Sequence, residues 1–407
     1  MVVPEAHPLL DAERLRVYPR ILLCIYAALI LLVGVTSHQM MDRFDKPIGY
    51  DFMAFWSASR LTLDGHGADV FDPAQISAAH RLAVPANERI FPWHYPPTYQ
   101  LVVAPLALLP YLPSYLVFTA VTLALYLIAI RPLLPLPNAY LLLLAFPGAF
   151  LCAFQGQNSL LTAALMGAAC ACLGRRPVLA GIFFGLLAYK PQYGVLVPFV
   201  FAAAGQWRSF AAAALTVLVF AGLSTIAFGA ALWQPFFADM AVTRHLIEQP
   251  TYPWAKMPSA FVFLCLLGAS LQFAYAIHAL VALGAVVVTV HVWRRCGPTR
   301  LAGATLISAT LLLQPYIFDY EMAIVAVPLA ILAGDMIERG ARGWERAVLL
   351  FGFAFPLFLW PIAELVRLQI GFLALLLILF LCARRAPRAI PLKGHAAAFA
   401  RAESTVD

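Results

Sequence analysis

Between Arg89 and Arg131 the chain carries no Asp, Glu, Lys or Arg, and the same holds from Arg131 to Arg175. Each stretch is long enough for more than one bilayer crossing at ~20 residues apiece. Hydrophobic residues fill 63% of the 407 positions and charged ones 12%, roughly half the charge expected of a soluble domain. The fold class that follows is an all-α polytopic membrane protein. The net charge of +7 does not point to nucleic acid as a partner, because the basic residues gather at the ends of apolar runs, as topology determinants do. The partners this composition calls for are membrane lipids.

Taken in order, residues 1–19 form a short polar lead and 20–37 a first span. Arg14, Arg16 and Arg20 precede that span, and no small-residue cleavage site follows it, which speaks against a cleaved signal peptide. Residues 38–97 form a large polar segment with seven of the twenty acidic residues. Within it, Asp51 to Leu63 and Pro73 to Leu82 read as short interfacial helices, and Pro96-Pro97 closes the loop. Residues 98–109 are too short for a full span and read as a half-helix, before a span at 112–130. Apolar runs follow at 138–153, 159–173, 177–189, 191–204 and 209–229. A second polar loop, 230–257, leads through a possible extra element at 258–274 to runs at 275–293, 301–318, 321–337, 346–361 and 366–383. The membrane domain is thus 20–383, with about 11–13 transmembrane helices, and 384–407 is a basic tail.

Charge supports this order. With the N-terminus cytoplasmic, alternation places eighteen of the twenty-seven Lys and Arg residues inside and eight outside, with Lys190 unassigned, in keeping with the positive-inside rule. Both termini are then cytoplasmic and the two polar loops face the exterior of the plasma membrane. The seven cysteines show no Cys-x-x-Cys spacing, so neither a disulfide framework nor a zinc site is indicated, and small apolar packing roles fit them.

Alternation also sends four polar clusters to the outer face. Asp51 lies among Tyr50, Phe52, Phe55 and Trp56, as a loop acid on an interfacial helix or as a base for a substrate hydroxyl. Gln155-Gly156-Gln157-Asn158 provides turn chemistry or, through Gln157 and Asn158, hydrogen bonds to sugar hydroxyls. Lys190 interrupts an apolar stretch at a cost of ~2.5–3.5 kcal/mol if it faced lipid, and Pro191 breaks the helix beside it. It is a snorkelling anchor or a point charge for a phosphate. Asp319 and Glu321 open the next span, where acids favour a helix N-terminus or supply a second carboxylate. His94-Tyr95-Pro96-Pro97 fixes the re-entry into the membrane, and His94 and Tyr95 also offer contacts to phosphate or sugar. Arg60 has Asp64 or an anionic ligand as its partner. The outer acids lack a dense Asp-x-Asp spacing, so no metal is expected.

The ordered set Tyr50-Asp51-Phe52, Leu61-x-x-x-Gly65, Val70-Phe71-Asp72-Pro73, Tyr95-Pro96-Pro97 and Pro105-Leu106-Ala107-Leu108-Leu109-Pro110 resembles glycosyltransferase family 87. So do Gly156-Gln157-Asn158, Lys190-Pro191-Gln192 and Pro315-Tyr316 with Asp319-Tyr320-Glu321. The similarity runs from about residue 45 to 325. Members of that family are GT-C superfamily membrane enzymes, of which the polyprenol-phosphate-mannose-dependent α-mannosyltransferases are the studied ones. The resemblance implies a GT-C-like bundle, no cofactor, a polyprenyl-phosphate sugar donor with mannose first, and a lipid or glycan acceptor. It makes Asp51 the general base of an inverting transfer and puts Lys190, Gln192, Gln157, Asn158, Tyr95, His94 and Arg60 on the donor. Asp319 and Glu321 remain candidates for a second carboxylate. The chain departs from those mannosyltransferases where it reads Phe318-Asp319-Tyr320-Glu321, since they carry a histidine in that late motif.

A secondary transporter is the main rival from another class, and would also explain broken helices and an intramembrane Lys. The two halves show no internal repeat, however, and the acids concentrate in one outer loop. A polysaccharide ligase or polymerase is disfavoured by the early position of the large loop.

Overall fold

The computed structural model describes residues 13–386. The extreme parts of the polar lead (1–12) and of the basic tail (387–407) lie outside the described residues. Apart from two isolated bridges joining His38, Met41 and Pro47, the regular elements among the described residues are helical. In a bilayer a helix satisfies every backbone polar group within the segment.

Among the described residues five helical segments are long and apolar enough to cross a membrane: Arg14–Thr36, Tyr111–Leu133, Trp207–Phe228, Leu271–Cys296 and Asp319–Arg339. Their burial divides them. Only 11% of the core window of Arg14–Thr36 and of Trp207–Phe228 is buried, against 78% for Asp319–Arg339. Helices that expose Leu31, Val35 and Ile226 on their outer faces are solvated by lipid. The Asp319–Arg339 segment instead runs through the middle of the bundle. A further apolar pair, Gly343–Leu357 and Leu359–Val366, is bent by 69° as a broken span or a re-entrant loop, and Pro356 removes a backbone donor beside the break.

The other apolar runs fold as shorter or broken helices. The run expected at 138–153 splits into Ala139–Leu144 and Pro147–Gln155. The runs at 177–189 and 191–204 become Pro177–Tyr189 and Pro191–Ala203. Arg300–Leu312 is buried from Leu301 to Leu312 and, at 1.5 Å per residue, is roughly 20 Å long. A helix enclosed by protein on all sides does not need to match the lipid thickness. The expected 11–13 transmembrane helices are therefore realised as a few full spans packed around short interior ones.

Two loop expectations change. The Phe52–Leu63 helix, read as interfacial, is buried from Phe52 to Ser59. Phe52 packs against Tyr111, Tyr115 and Phe118, and Phe55 against Trp93, Tyr95 and Tyr99, so this aromatic cluster forms a core of its own above the bundle. The Pro73–Ala83 helix covers it, fastened by His80 Nδ1 at 2.8 Å from Ser57 Oγ. Burial pushes the His80 imidazole down to about 4, so it remains neutral. The second polar loop, 230–257, contains a helix at Trp233–Ile247 and a turn at Trp254–Lys256.

Two glycines let the elements at the Asp51 end approach closely. A Cβ on Gly148 would stand 2.6 Å from the Met322 carbonyl carbon, so the Pro147–Gln155 helix lies directly on the backbone of the Asp319–Val325 turn. Gly156 ends that helix with φ of 77°, the left-handed conformation that glycine adopts without penalty. A Cβ there would meet the Phe52 Cβ at 2.7 Å.

Candidate active site

Gln155 joins the first polar loop to the late motif. Its carbonyl accepts from the Asp51 backbone N–H at 3.0 Å, and its side-chain amide donates to Asp319 Oδ1 at 3.3 Å. These contacts follow from the two close glycine approaches at either end of the same short helix.

Asp51 sits at the N-terminus of Phe52–Leu63, yet its side chain makes no capping hydrogen bond to that helix. Its Oδ2 accepts from Gln157 Nε2 at 3.1 Å, and the residue keeps partial exposure while Phe52 to Ser59 behind it are buried. Burial raises the carboxyl to about 7. The Gln157 hydrogen bond and the charges of Lys256 and Lys46 pull it down, while the charge of Asp319 adds to the rise. Gln157 is held in turn by the Tyr95 hydroxyl, which donates to its Oε1 at 3.3 Å. A carboxyl poised near neutrality and not committed to capping has the properties of a general base.

Lys190 is 3% exposed. Its ammonium lies 2.8 Å from Glu321 Oε1 and donates to Asn158 Oδ1 at 3.1 Å. The rings of Tyr193 and Tyr320 face it at 5.2 and 5.6 Å. This encloses the charge, so the snorkelling anchor is not what forms. Glu321 also does what its position suggested, since its Oε2 accepts from the Phe318 backbone N–H at 2.9 Å. Asp319 accepts from the Tyr320 N–H at 2.8 Å and turns Oδ2 towards Lys256, 4.0 Å away.

Lys256 had no assigned role in the sequence. Its ammonium donates to the Tyr50 hydroxyl at 3.0 Å and lies 5.4 Å from that ring, while Lys46 stands 5.0 Å from the same ring. Burial lowers the Lys46 ammonium, and the charges of Lys256 and Arg89 lower it further. Tyr50 is held well above the usual phenol range by burial and then by the charge of Asp51, so it remains a neutral hydroxyl. The result is a cationic patch beside Asp51 and Asp319. Lys256 stood alone after Trp254 in a segment read as loop, and its only local signal was an isolated cation between aromatic and proline residues.

Three sequence candidates lie elsewhere or serve other ends. Arg60 pairs with Asp64 at 2.8 Å on the exposed side of its helix, the i,i+4 partner its spacing offers. His94 Nδ1 lies 2.9 Å from Asp239 Oδ2 and 2.8 Å from Thr243 Oγ1, tying the loop to the Trp233–Ile247 helix. Gln192 is exposed and accepts from Gln314 Nε2 through its backbone carbonyl at 2.8 Å. Among the described residues no group of three or more His, Cys, Asp or Glu is placed to hold a metal ion.

The four polar clusters singled out in the sequence thus converge through Asp51, Gln155, Gln157, Asn158, Lys190, Asp319 and Glu321, with Lys256 added. No curated protein and no solved structure gives a match. The model of glycosyltransferase family 87 matches residues 93–315, which carries Tyr95, Gln157, Asn158, Lys190 and Lys256. That match covers more than half of the chain, and the protein belongs to glycosyltransferase family 87, a family of membrane glycosyltransferases.

Proposed function

We propose that the protein transfers a sugar, mannose in the first instance, from a polyprenyl-phosphate donor to a hydroxyl of a lipid or glycan acceptor at the outer face of the plasma membrane. The observation that carries this reading is the Asp51 carboxyl, uncapped, partly open and pushed by burial to about 7. Asp51 takes the proton from the acceptor hydroxyl as its oxygen attacks the anomeric carbon. The bond from that carbon to the phosphate oxygen breaks, and polyprenyl phosphate departs with the electron pair. One displacement inverts the anomeric centre. Phosphate is a good leaving group, so the reaction takes no cofactor and no separate general acid.

Lys256, with Lys46 beside it, is the cation best placed to meet charge growing on the leaving phosphate. Lys190 is engaged by Glu321 and Asn158 and acts by holding the late motif and the amide turn in register. Orientation follows from the same frame. A 21-residue segment separates Asp319 from Arg339, roughly 30 Å of helix, which matches a hydrocarbon core. That length supports a carboxylate site and an arginine-rich end on opposite sides, and the positive-inside rule favours a cytoplasmic arginine side.

The test is turnover by purified protein in nanodiscs with a panel of polyprenyl-phosphate sugars and a membrane lipid extract as acceptor. Release of polyprenyl phosphate from one donor, read by mass spectrometry, supports the proposal and names the sugar. Silence across the panel together with no donor-induced rise in melting temperature overturns it.

A further inference from the structure

The cytoplasmic end of the bundle holds a cavity of about 610 Å3 between the first helix, the Asp319–Arg339 segment and the Gly343–Ala354 helix. Its walls are apolar, with Leu22, Phe146, Leu329, Met336, Leu350 and Phe353 among them. Arg14 and Arg346 also line it, both partly exposed, and no carboxylate is among its lining residues. The volume falls within the ~300–1,000 Å3 typical of small-ligand sites.

The gap is built into the fold. The first helix is pinned at Leu15, whose carbonyl accepts from Asn138 Nδ2 at 2.7 Å. It is pinned again at Tyr26, whose ring stacks on Phe150 at 3.9 Å and whose hydroxyl donates to the Ala145 carbonyl at 3.3 Å. Tyr18, Pro19 and Leu22 line the cavity between those two points. Atoms facing a void forfeit dispersion contacts on one side, and in a bilayer the material at hand to fill it is lipid chain. Charge selects the headgroup. Arg385 is taken up by Asp335 and Glu345, whereas among the described residues no carboxylate pairs with Arg346.

We infer that this cavity is a binding site for one anionic phospholipid of the inner leaflet, an acyl chain between the helices and the headgroup at Arg346. Basic pockets between transmembrane helices on the cytoplasmic side recognise such headgroups. The site lies along the helix whose other end carries Asp319 and Glu321, so the bound lipid braces that helix against the first span. It rests on the membrane reading and not on the transfer chemistry.

The experiment is native mass spectrometry of the purified protein with phosphatidylglycerol or phosphatidylcholine of identical acyl chains, beside thermal unfolding in detergent alone. Wild type is expected to retain one phosphatidylglycerol with roughly fivefold preference over phosphatidylcholine, the scale of one basic contact at an anionic headgroup. Arg346→Ala should bring the preference close to one, with an unchanged melting temperature in detergent. Leu350→Trp, which fills the cavity, should lower retention of both lipids. Equal retention of the two lipids by wild type, or an undiminished preference in Arg346→Ala, overturns the inference. So does a gain in lipid retention on removing residues 1–12, which would make the chain's own segment the occupant.

Discussion

The Lys190 ammonium lies 2.8 Å from a Glu321 carboxylate oxygen, and the two residues are only 3% and 4% exposed. Taking one charge away from such a pair strands the other in a low-dielectric interior, which costs about 3–5 kcal/mol. Glu321→Gln should therefore lower unfolding stability by that order, and Lys190→Met with Glu321→Gln together should be less destabilised than Glu321→Gln alone. Thermal or denaturant unfolding of Lys190→Met, Glu321→Gln and the double variant in detergent checks this. Additive losses would mean the pair is not coupled.

The pH profile of transfer should report Asp51. A base has to be deprotonated to accept a proton, so the rate should rise through about pH 7, where the carboxyl titrates, and level off above it. Lys256 and the Gln157 hydrogen bond lower that titration while Asp319 raises it. Lys256→Ala and Gln157→Leu should thus move the profile to higher pH, and Asp319→Asn to lower pH. Rate profiles of the three variants decide it by the sign of each shift.

Stability follows the opposite course to activity at Asp51. Its folded carboxyl binds a proton more tightly than the unfolded one, so its contribution is fully present below about pH 4 and is lost as pH rises through about 7. Asp51→Asn, which cannot ionise, should melt higher than wild type at pH 8, with the gap narrowing as pH falls towards about 4. A lower melting temperature for the variant at pH 8 would contradict the burial of this charge.

Gly148→Ala should harm both stability and turnover. The added methyl meets the Met322 backbone at 2.6 Å, and overpacking of this kind costs about 1–3 kcal/mol. Because it pushes apart the two elements that Gln155 bridges, the rate should fall by more than the loss of folded protein explains. Turnover per folded molecule, counted by size-exclusion chromatography, separates the two effects.

Arg60→Ala should leave turnover within twofold of wild type. Arg60 and Asp64 are 44% and 40% exposed in their side chains, and a pair of that kind contributes about 0–1 kcal/mol. A tenfold fall in turnover would return Arg60 to the donor site.

Much of this was legible in one sequence. The charge-free stretches beside Arg131 gave the membrane, and Asp51, Gln157, Asn158, Lys190, Asp319 and Glu321 could be gathered on one face by counting crossings. What alternation cannot supply is distance. That Gln155 links Asp51 to Asp319 depends on Gly148 and Gly156, whose close approaches are tertiary facts. Lys256 was missed because its partners, Tyr50 and Asp319, are remote in sequence. Arg60 was left between Asp64, one helical turn on, and an anionic ligand, and the pair with Asp64 is what forms. The Trp233–Ile247 helix was read as loop because Asp239, Arg244 and His245 interrupt its apolar residues, although Phe236, Met240 and Ile247 recur at helical spacing.

The most direct test of the account is single-turnover transfer by wild type and Asp51→Asn, at pH 8, with the donor that wild type uses. Asparagine keeps the shape and the Gln157 contact but cannot accept the acceptor's proton. The account predicts a loss of at least about a hundredfold in rate, the lower end of general-base catalysis, with donor-induced thermal stabilisation retained. An Asp51→Asn enzyme that transfers sugar at the wild-type rate would contradict it.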